Sequence, residues 1–204
     1  MTGPDKINPL LIVTWAVVAL VCLALLTVTN KFTRGRIADN QQQATRKVLQ
    51  QIIPGEYNND IFKDTIQITG PDYLGTDRPV TVFRSRNGDT PLGVVLYPVI
   101  AEGYKGPIEL GIGISRDGTI SGVRVISEEE TEGLGAQVDQ RNSDWILSFS
   151  GLSYNTVPRE QWNIRSENGY FDQISGATIT SRSVINTVRN SLDYHDLNGE
   201  NLYK

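Results

Sequence analysis

The sequence contains one cysteine and one histidine among 204 residues, and both shortages restrict the chemistry that the chain can perform alone. Cys22 lies inside an apolar run with no second cysteine to pair with, which excludes a disulfide framework. Zinc, haem and iron–sulfur sites draw on several Cys or His ligands, so we expect no metal site. His195 lies near the polar C-terminus, and we expect it on the surface. Any redox chemistry would therefore come from an organic cofactor.

Basic residues are also too few for one class of partner. The chain has 19 Lys and Arg against 23 Asp and Glu, a net charge of -4, and a pI near 5.1. A nucleic-acid-binding protein needs a basic stripe to neutralise phosphates. We therefore expect no nucleic-acid partner. The length allows one ordinary domain with a short extension.

One long apolar run is present near the N-terminus. Leu10–Val28 reads LLIVTWAVVALVCLALLTV, nineteen residues without a charge, which matches the length of a membrane-spanning helix. A cleaved signal peptide is the alternative, but the run exceeds the usual apolar region and no A-x-A site follows it. The pattern favours an uncleaved span over residues 10–29 in the lipid bilayer, preceded by a short cytoplasmic leader at residues 1–9.

The charges that flank this run bear on its orientation. Only Lys6 and the amino terminus are positive before the run, whereas Lys31, Arg34 and Arg36 follow it. Applied to these charges alone, the positive-inside rule predicts that the large domain lies in the cytoplasm. With so short a leader, however, the charge bias is small.

After the run, the chain alternates between helical and strand-like patterns. Helical spacing of apolar residues predicts a stalk helix over residues 30–54, which ends at Pro54-Gly55. Five β-branched runs follow between residues 65 and 126, separated by glycine-containing turns, of which Asp117-Gly118 is a strong hairpin signal. A short helix over residues 144–149 is expected next, with Trp145 and Phe149 in the core.

The last pattern is a helix whose apolar residues share one face. These are Val184, Ile185, Val188 and Leu192, with Thr180 or Ser181 as the expected N-cap. The predicted fold class is α+β, a single N-terminal span followed by one domain at residues 55–204 with an antiparallel or mixed sheet and packed helices.

A loop of small and hydroxylated residues leads into this last helix. Residues 172–178 read DQISGAT, and they deliver hydroxyls and backbone N–H groups to a helix N-terminus, which is a ready anion site. On local physics alone, a turn that merely caps the helix is the more common explanation.

Two motifs together resemble a known family. DQISGAT resembles the sequence at which a flavin transferase of the ApbE type esterifies FMN to the final threonine, here Thr178. The second motif, ETEGLG at residues 130–135, resembles the E-T-x-G-L-G segment upstream of that threonine in the FMN-binding domains of RnfG and NqrC proteins. By itself, an acidic loop with Gly turns would more often be a solvated surface. The resemblance covers essentially the whole chain, and its length favours RnfG over the usually longer NqrC.

The resemblance implies a role for several residues of this sequence. Thr178 would carry the FMN phosphoryl group covalently, and the rest of the cofactor site would comprise Ser175, Gly176, Ala177, Thr180, Glu130, Thr131, Gly133, Leu134, Gly135 and, as a weakly defined position, Tyr104. Asp172 would serve recognition by the transferase.

The same resemblance implies an electron-transfer subunit of an Rnf-type complex that links ferredoxin and NAD to ion movement, with no independent catalytic activity. The partners would be its other membrane, iron–sulfur and flavin subunits, and the flavin transferase. The domain would lie on the periplasmic side of the bacterial inner membrane. The alternatives are an NqrC-like subunit of a sodium-pumping NADH:quinone reductase, a cofactor-free assembly subunit and an exported FMN enzyme. The last would need acid–base groups that the sequence does not display.

Overall fold

The computed structural model describes residues 9–203, which contain three α-helices and a five-stranded antiparallel sheet. The helices are α1 (Pro9–Gln50), α2 (Pro71–Leu74) and α3 (Thr178–Leu202). The strands are β1 (Thr65–Ile68), β2 (Val80–Asn87), β3 (Thr90–Glu102), β4 (Pro107–Ser115) and β5 (Ile120–Ser127), and short 3₁₀ turns cover Gly135–Val138, Trp145–Phe149, Arg159–Gln161 and Arg165–Glu167. The α+β prediction is confirmed.

Helix α1 contains the apolar run. Its stretch Thr14–Lys31 has a mean hydropathy of 1.6 and is long and apolar enough to cross a membrane, and none of it is buried inside the protein. The span and the stalk, expected as two elements, form one continuous helix as far as Gln50. No proline lies between them to interrupt the backbone hydrogen bonds. The chain divides into two compact units between Arg46 and Lys47.

The sheet follows the order of the chain. Each strand pairs antiparallel with the next, from β1 at one edge to β5 at the other. The predicted hairpin at Asp117-Gly118 is present, and Gly118 adopts a left-handed φ of 81°, which glycine tolerates without steric cost. The register of β3 shifts between Leu96 and Val99, around Pro98, which has no N–H for the ladder.

One face of the sheet forms the main core with α3. Alternate residues of the strands point to this face, and the predicted apolar stripe of α3 packs across β3 and β4. The stripe and the aromatic residues that extend this core are Val184, Ile185, Val188, Leu192, Phe149, Trp162 and Phe171. Trp145 and Phe149, expected in the core, meet edge to face with ring centroids 5.5 Å apart, within the predicted short helix.

The opposite face of the sheet packs against the last turn of α1 and the residues that follow it. Leu49 and Ile52 are almost fully buried against Val95. They approach the sheet where it carries glycines: a Cβ on Gly122 would lie 2.6 Å from Ile52, and a Cβ on Gly113 would collide with the Ile52 backbone. The Ser121 hydroxyl donates a hydrogen bond to the Ile52 carbonyl. The Ile52 backbone thus packs directly on the sheet in this second, smaller core.

The expectation that His195 lies on the surface is wrong. The residue is 4% exposed, and its Nε2 shares a hydrogen bond with the Tyr203 hydroxyl at 2.8 Å. Helix α3 continues to Leu202, so His195 falls three residues after Leu192 on the buried face. The polar composition of the C-terminus concealed this continuation.

Burial has an electrostatic consequence for His195. Desolvation lowers the pKa of its imidazole, an effect that the carboxylates of Asp196 and Asp117 partly oppose. The neutral form is therefore favoured in the native state, whereas an unfolded chain takes up a proton near pH 6.5.

We predict that this histidine makes the protein less stable in mild acid. Its contribution is present in full above pH about 6.5 and is lost, by at most about 1.4 kcal/mol per pH unit, as the pH falls toward the lower native pKa. Urea unfolding between pH 5 and 8 should show this loss in the wild type and not in His195→Gln. Because the chain has one histidine, parallel pH profiles for the two proteins would contradict the prediction.

Candidate functional site

Three segments that are distant in sequence enclose a cavity of about 480 Å³. They are the hairpin loop between β3 and β4, the loop after β5, and the start of α3. The lining residues are Tyr104, Glu130, Thr131, Leu134, Gly135, Gly176, Ala177, Thr178, Ile179 and Thr180. The volume lies within the range of small-molecule sites in proteins.

Helix α3 begins one turn earlier than predicted. Its first residue is Thr178 and its N-cap is Ala177, which has no capping side chain, so the prediction of Thr180 or Ser181 as N-cap is wrong. Both hydroxyls are engaged elsewhere. Ser181 Oγ accepts a hydrogen bond from the Ile174 N–H at 3.0 Å, and Thr180 Oγ1 donates to Glu130. These tertiary bonds replace the capping bonds that sequence alone suggested.

The resulting helix N-terminus suits an anion. The first backbone N–H groups of an α-helix have no acceptor within the helix, and the helix dipole favours negative charge beside them. Here these groups belong to Thr178, Ile179 and Thr180, all of which line the cavity. Gly176 precedes them with a left-handed φ of 74°, which turns the loop into the helix. Thr178 is half-buried at the first helical position.

Glu130 joins the three segments of the wall. Its Oε1 accepts a hydrogen bond from the Lys105 N–H at 2.9 Å, and its Oε2 accepts one from the Thr180 hydroxyl at 2.9 Å. Gly103 and Gly135 lie against the carboxylate, and a Cβ on either would collide with it. Glu130 is therefore packed between loops, whereas Glu132, the other acidic residue of ETEGLG, is exposed.

The rim of the cavity is apolar. Tyr104 is 72% exposed, Ile179 is 52% exposed and Leu134 is 43% exposed, which is unusual for side chains of this size grouped together. A flat aromatic ligand would shield these surfaces from water. Ile179 was not among the predicted site residues. It is an apolar residue directly after the threonine of an anion-binding loop, and that position is the signal that could have identified it.

Nine of the eleven predicted site residues line the cavity, and Ser175 and Gly133 do not. Both are exposed, and Gly133 adopts a left-handed φ of 74° that shapes the loop before Leu134. Among the described His, Cys, Asp and Glu side chains, no group of three could hold a metal ion.

Asp172 lies apart from this cavity. It lines a separate depression of about 380 Å³ with Trp145 and Tyr170, and its carboxylate pairs with Arg165 at 3.2 Å. The Trp145 indole N–H donates to the Asp172 carbonyl at 2.6 Å. The two ends of DQISGAT thus face different surroundings.

Comparison with known proteins defines the class. A family model described as an FMN-binding domain matches residues 103–193, which include every residue that lines the cavity. The model described as the RnfG N-terminal region matches residues 13–52, which contain the apolar stretch. The chain is therefore a protein with an FMN-binding domain behind an N-terminal helix.

Similar curated proteins narrow this further. Two proteins named as a subunit of the ion-translocating oxidoreductase complex, from Pseudoalteromonas atlantica and Shewanella loihica, are each 36% identical to this chain, covering 91% and 90% of it and 86% and 87% of their own length. The Vibrio cholerae protein of that name is 33% identical over 92% of this chain and 90% of its own. The chain belongs to this family, that of RnfG.

The residues of the cavity fit FMN. Helix N–H groups and a hydroxyl stand where a phosphate can be held, and the exposed apolar rim can cover a flavin ring. FMN combines an anionic phosphate with a flat aromatic ring system, so both halves of the cofactor find complementary surface.

We predict that Ser181→Ala destabilises the loop that leads to Thr178. Ser181 is fully buried, and loss of its hydroxyl leaves the Ile174 N–H without its acceptor, at a cost of about 1–3 kcal/mol. Urea unfolding measures the loss. Ser183→Ala is the matched control, because Ser183 is half-buried and its hydroxyl makes no hydrogen bond to any group that the structure describes. Equal stability of the two variants would contradict the prediction.

Proposed function

We propose that this chain is a membrane-anchored electron-transfer subunit of an Rnf-type ion-pumping ferredoxin/NAD oxidoreductase complex, carrying FMN through a phosphoester to Thr178. The observation that carries the proposal is the place of Thr178. Its hydroxyl belongs to the first residue of α3, in the wall of the cavity and beside the helix N–H groups. A phosphate on this oxygen would be held by donors that have no intrahelical acceptor.

The attachment is a group transfer that an ApbE-type flavin transferase would perform from a flavin nucleotide donor. The Thr178 oxygen forms a new bond to the phosphorus of FMN, and the bond from that phosphorus to the donor's leaving group breaks. The hydroxyl proton departs with the leaving group, so the chain gains FMN less water. The transferase would recognise the loop that bears the exposed Asp172.

The remaining residues would bind and orient the cofactor. Gly176, Ala177 and Thr180 flank the phosphate site, and Ser175 lies next to them in the loop. On the other wall, Thr131, Leu134 and Gly135 would face the flavin, with Gly133 shaping their loop and Tyr104 at the rim. When bound, FMN supplies reversible electron transfer, while the protein supplies attachment and orientation. The covalent bond would keep the cofactor on a carrier outside the cytoplasm.

We expect Thr178→Ala to abolish covalent flavin while leaving the fold intact. The chain is purified from cells that also express a flavin transferase, denatured and run on a gel under ultraviolet light. Wild-type protein should fluoresce, and the peptide containing Thr178 should be heavier by FMN less water. Ser183→Ala, one turn further along α3, removes a hydroxyl without touching the cavity and should retain full fluorescence.

Two outcomes of this experiment favour other functions. A wild-type chain that stays dark favours a cofactor-free assembly subunit, and unchanged fluorescence in Thr178→Ala places the bond elsewhere. The NqrC-like alternative is less favoured, because the matched N-terminal region is that of RnfG. An exported FMN enzyme would need acid–base groups facing a substrate, and Glu130, the carboxylate in the cavity wall, is already bonded to two other segments.

We further propose that the chain crosses the bacterial inner membrane once, with residues 1–9 in the cytoplasm and the FMN-binding domain on the periplasmic side. Membrane association is supported by the apolar stretch and the family. The periplasmic side rests on the family resemblance, against the excess of basic residues that follow the span. The expected partners are the other membrane, iron–sulfur and flavin subunits.

Single-cysteine labelling tests this orientation. In a Cys22→Ala background, a membrane-impermeant maleimide should label Gln140→Cys, an exposed domain position, in cells with a permeabilised outer membrane. Thr2→Cys, before the span, should be labelled only after lysis. The opposite pattern would place the domain in the cytoplasm, as the positive-inside rule alone predicts.

A further inference from the structure

We propose that Glu130 is the positioning residue of the flavin cavity, and that its negative charge lowers the reduction potential of the FMN held there. The inference rests on the proposed function, because it concerns the same cofactor. It assigns to one carboxylate both the alignment of the cavity walls and part of the electrostatic tuning of the flavin.

The alignment follows from the hydrogen bonds of the two carboxylate oxygens. One oxygen accepts from the Lys105 amide, 25 residues away in sequence, and the other accepts from the Thr180 hydroxyl, 50 residues away. The hairpin loop and the first turn of α3 are thus joined through one side chain. The Glu130 N–H in turn donates to a Glu128 carboxylate oxygen at 2.6 Å, which fixes the start of its own loop.

The space around the carboxylate fits this role. A Cβ on Gly103 would lie 2.5 Å from Oε1, and one on Gly135 would collide with Oε2. Glycine at both positions lets two loops close directly on the acid, which leaves little freedom for the side chain to turn away. Thr180, its partner on α3, is itself buried.

The charge of Glu130 is held by hydrogen bonds and not by a cation. Among the side chains that the structure describes, no Lys, Arg or His nitrogen lies in ion-pair range of its carboxylate, although acidic neighbours are close in sequence. A negative charge that no cation offsets, in the wall of a cofactor site, opposes the arrival of an electron on that cofactor. The bound FMN would therefore be a stronger reductant than the same group without Glu130.

Two substitutions separate charge from alignment. Glu130→Gln keeps the shape and can still accept from Lys105 while donating to Thr180, so the flavin should stay in place and its midpoint potential should rise. Glu130→Ala removes both bonds. Its flavin should remain attached through Thr178, but should lose the visible circular dichroism of a fixed ring and become as open to iodide quenching as in denatured protein.

The matched control is Glu129→Gln, which removes the same charge from the neighbouring exposed side chain. It should leave the circular dichroism unchanged and shift the potential less than Glu130→Gln does. An equal or larger shift in Glu129→Gln, or an unchanged potential in Glu130→Gln, would overturn the electrostatic part. Native circular dichroism in Glu130→Ala would overturn the positioning part.

A flavin-free measurement keeps this inference distinct from the proposed function. In protein made without the transferase, a double-mutant cycle of Glu130→Ala and Thr180→Val, each of which removes the hydrogen bond between the two side chains, reports whether they are coupled in unfolding. Coupling in that cycle supports the positioning role even if the chain proves to carry no flavin. Additive effects in a chain that does bind flavin would overturn the alignment and leave the flavin assignment standing.

Discussion

The site depends on where α3 begins. The apolar stripe of α3 packs on β3 and β4. This packing fixes the position of the helix N-terminus relative to the hairpin loop between those strands. Two hydroxyls of the first turns, on Thr180 and Ser181, bond to Glu130 and to the Ile174 N–H instead of capping the helix. The helix therefore starts at Thr178, and the threonine of the motif becomes part of an anion-binding terminus.

Much of the fold could be predicted from the sequence because its β-branched runs are separated by turns, two of which hold a glycine in the left-handed region, Gly88 and Gly118. The errors came where a tertiary contact overrides a local preference. Ser181 resembles an N-cap in the sequence, but its hydroxyl accepts a hydrogen bond from the Ile174 N–H, seven residues earlier in the preceding loop. His195 reads as a surface residue until the helix is known to continue past it.

The site itself was predicted by resemblance and not by local physics, which would have favoured a simple capped turn at Thr178. The structure shows three features of the site that the motif alone could not predict. It separates Asp172 from the cavity, identifies Ile179 on the rim, and shows that Glu130 is bonded between segments that lie 25 and 50 residues away. The charge pattern could not indicate the role of Glu130, because an acidic run in a sequence most often forms a solvated loop.

The glycine-bearing face of the sheet has a practical consequence for protein production. Because Leu49 in the last turn of α1 and Ile52 just after it lie directly on that face, they belong to the hydrophobic interior of the FMN-binding unit. A water-soluble fragment that begins at residue 55 would uncover Val95 and its neighbours and invite aggregation. The shortest well-behaved fragment should therefore begin at Lys47 or earlier, within the last turn of α1.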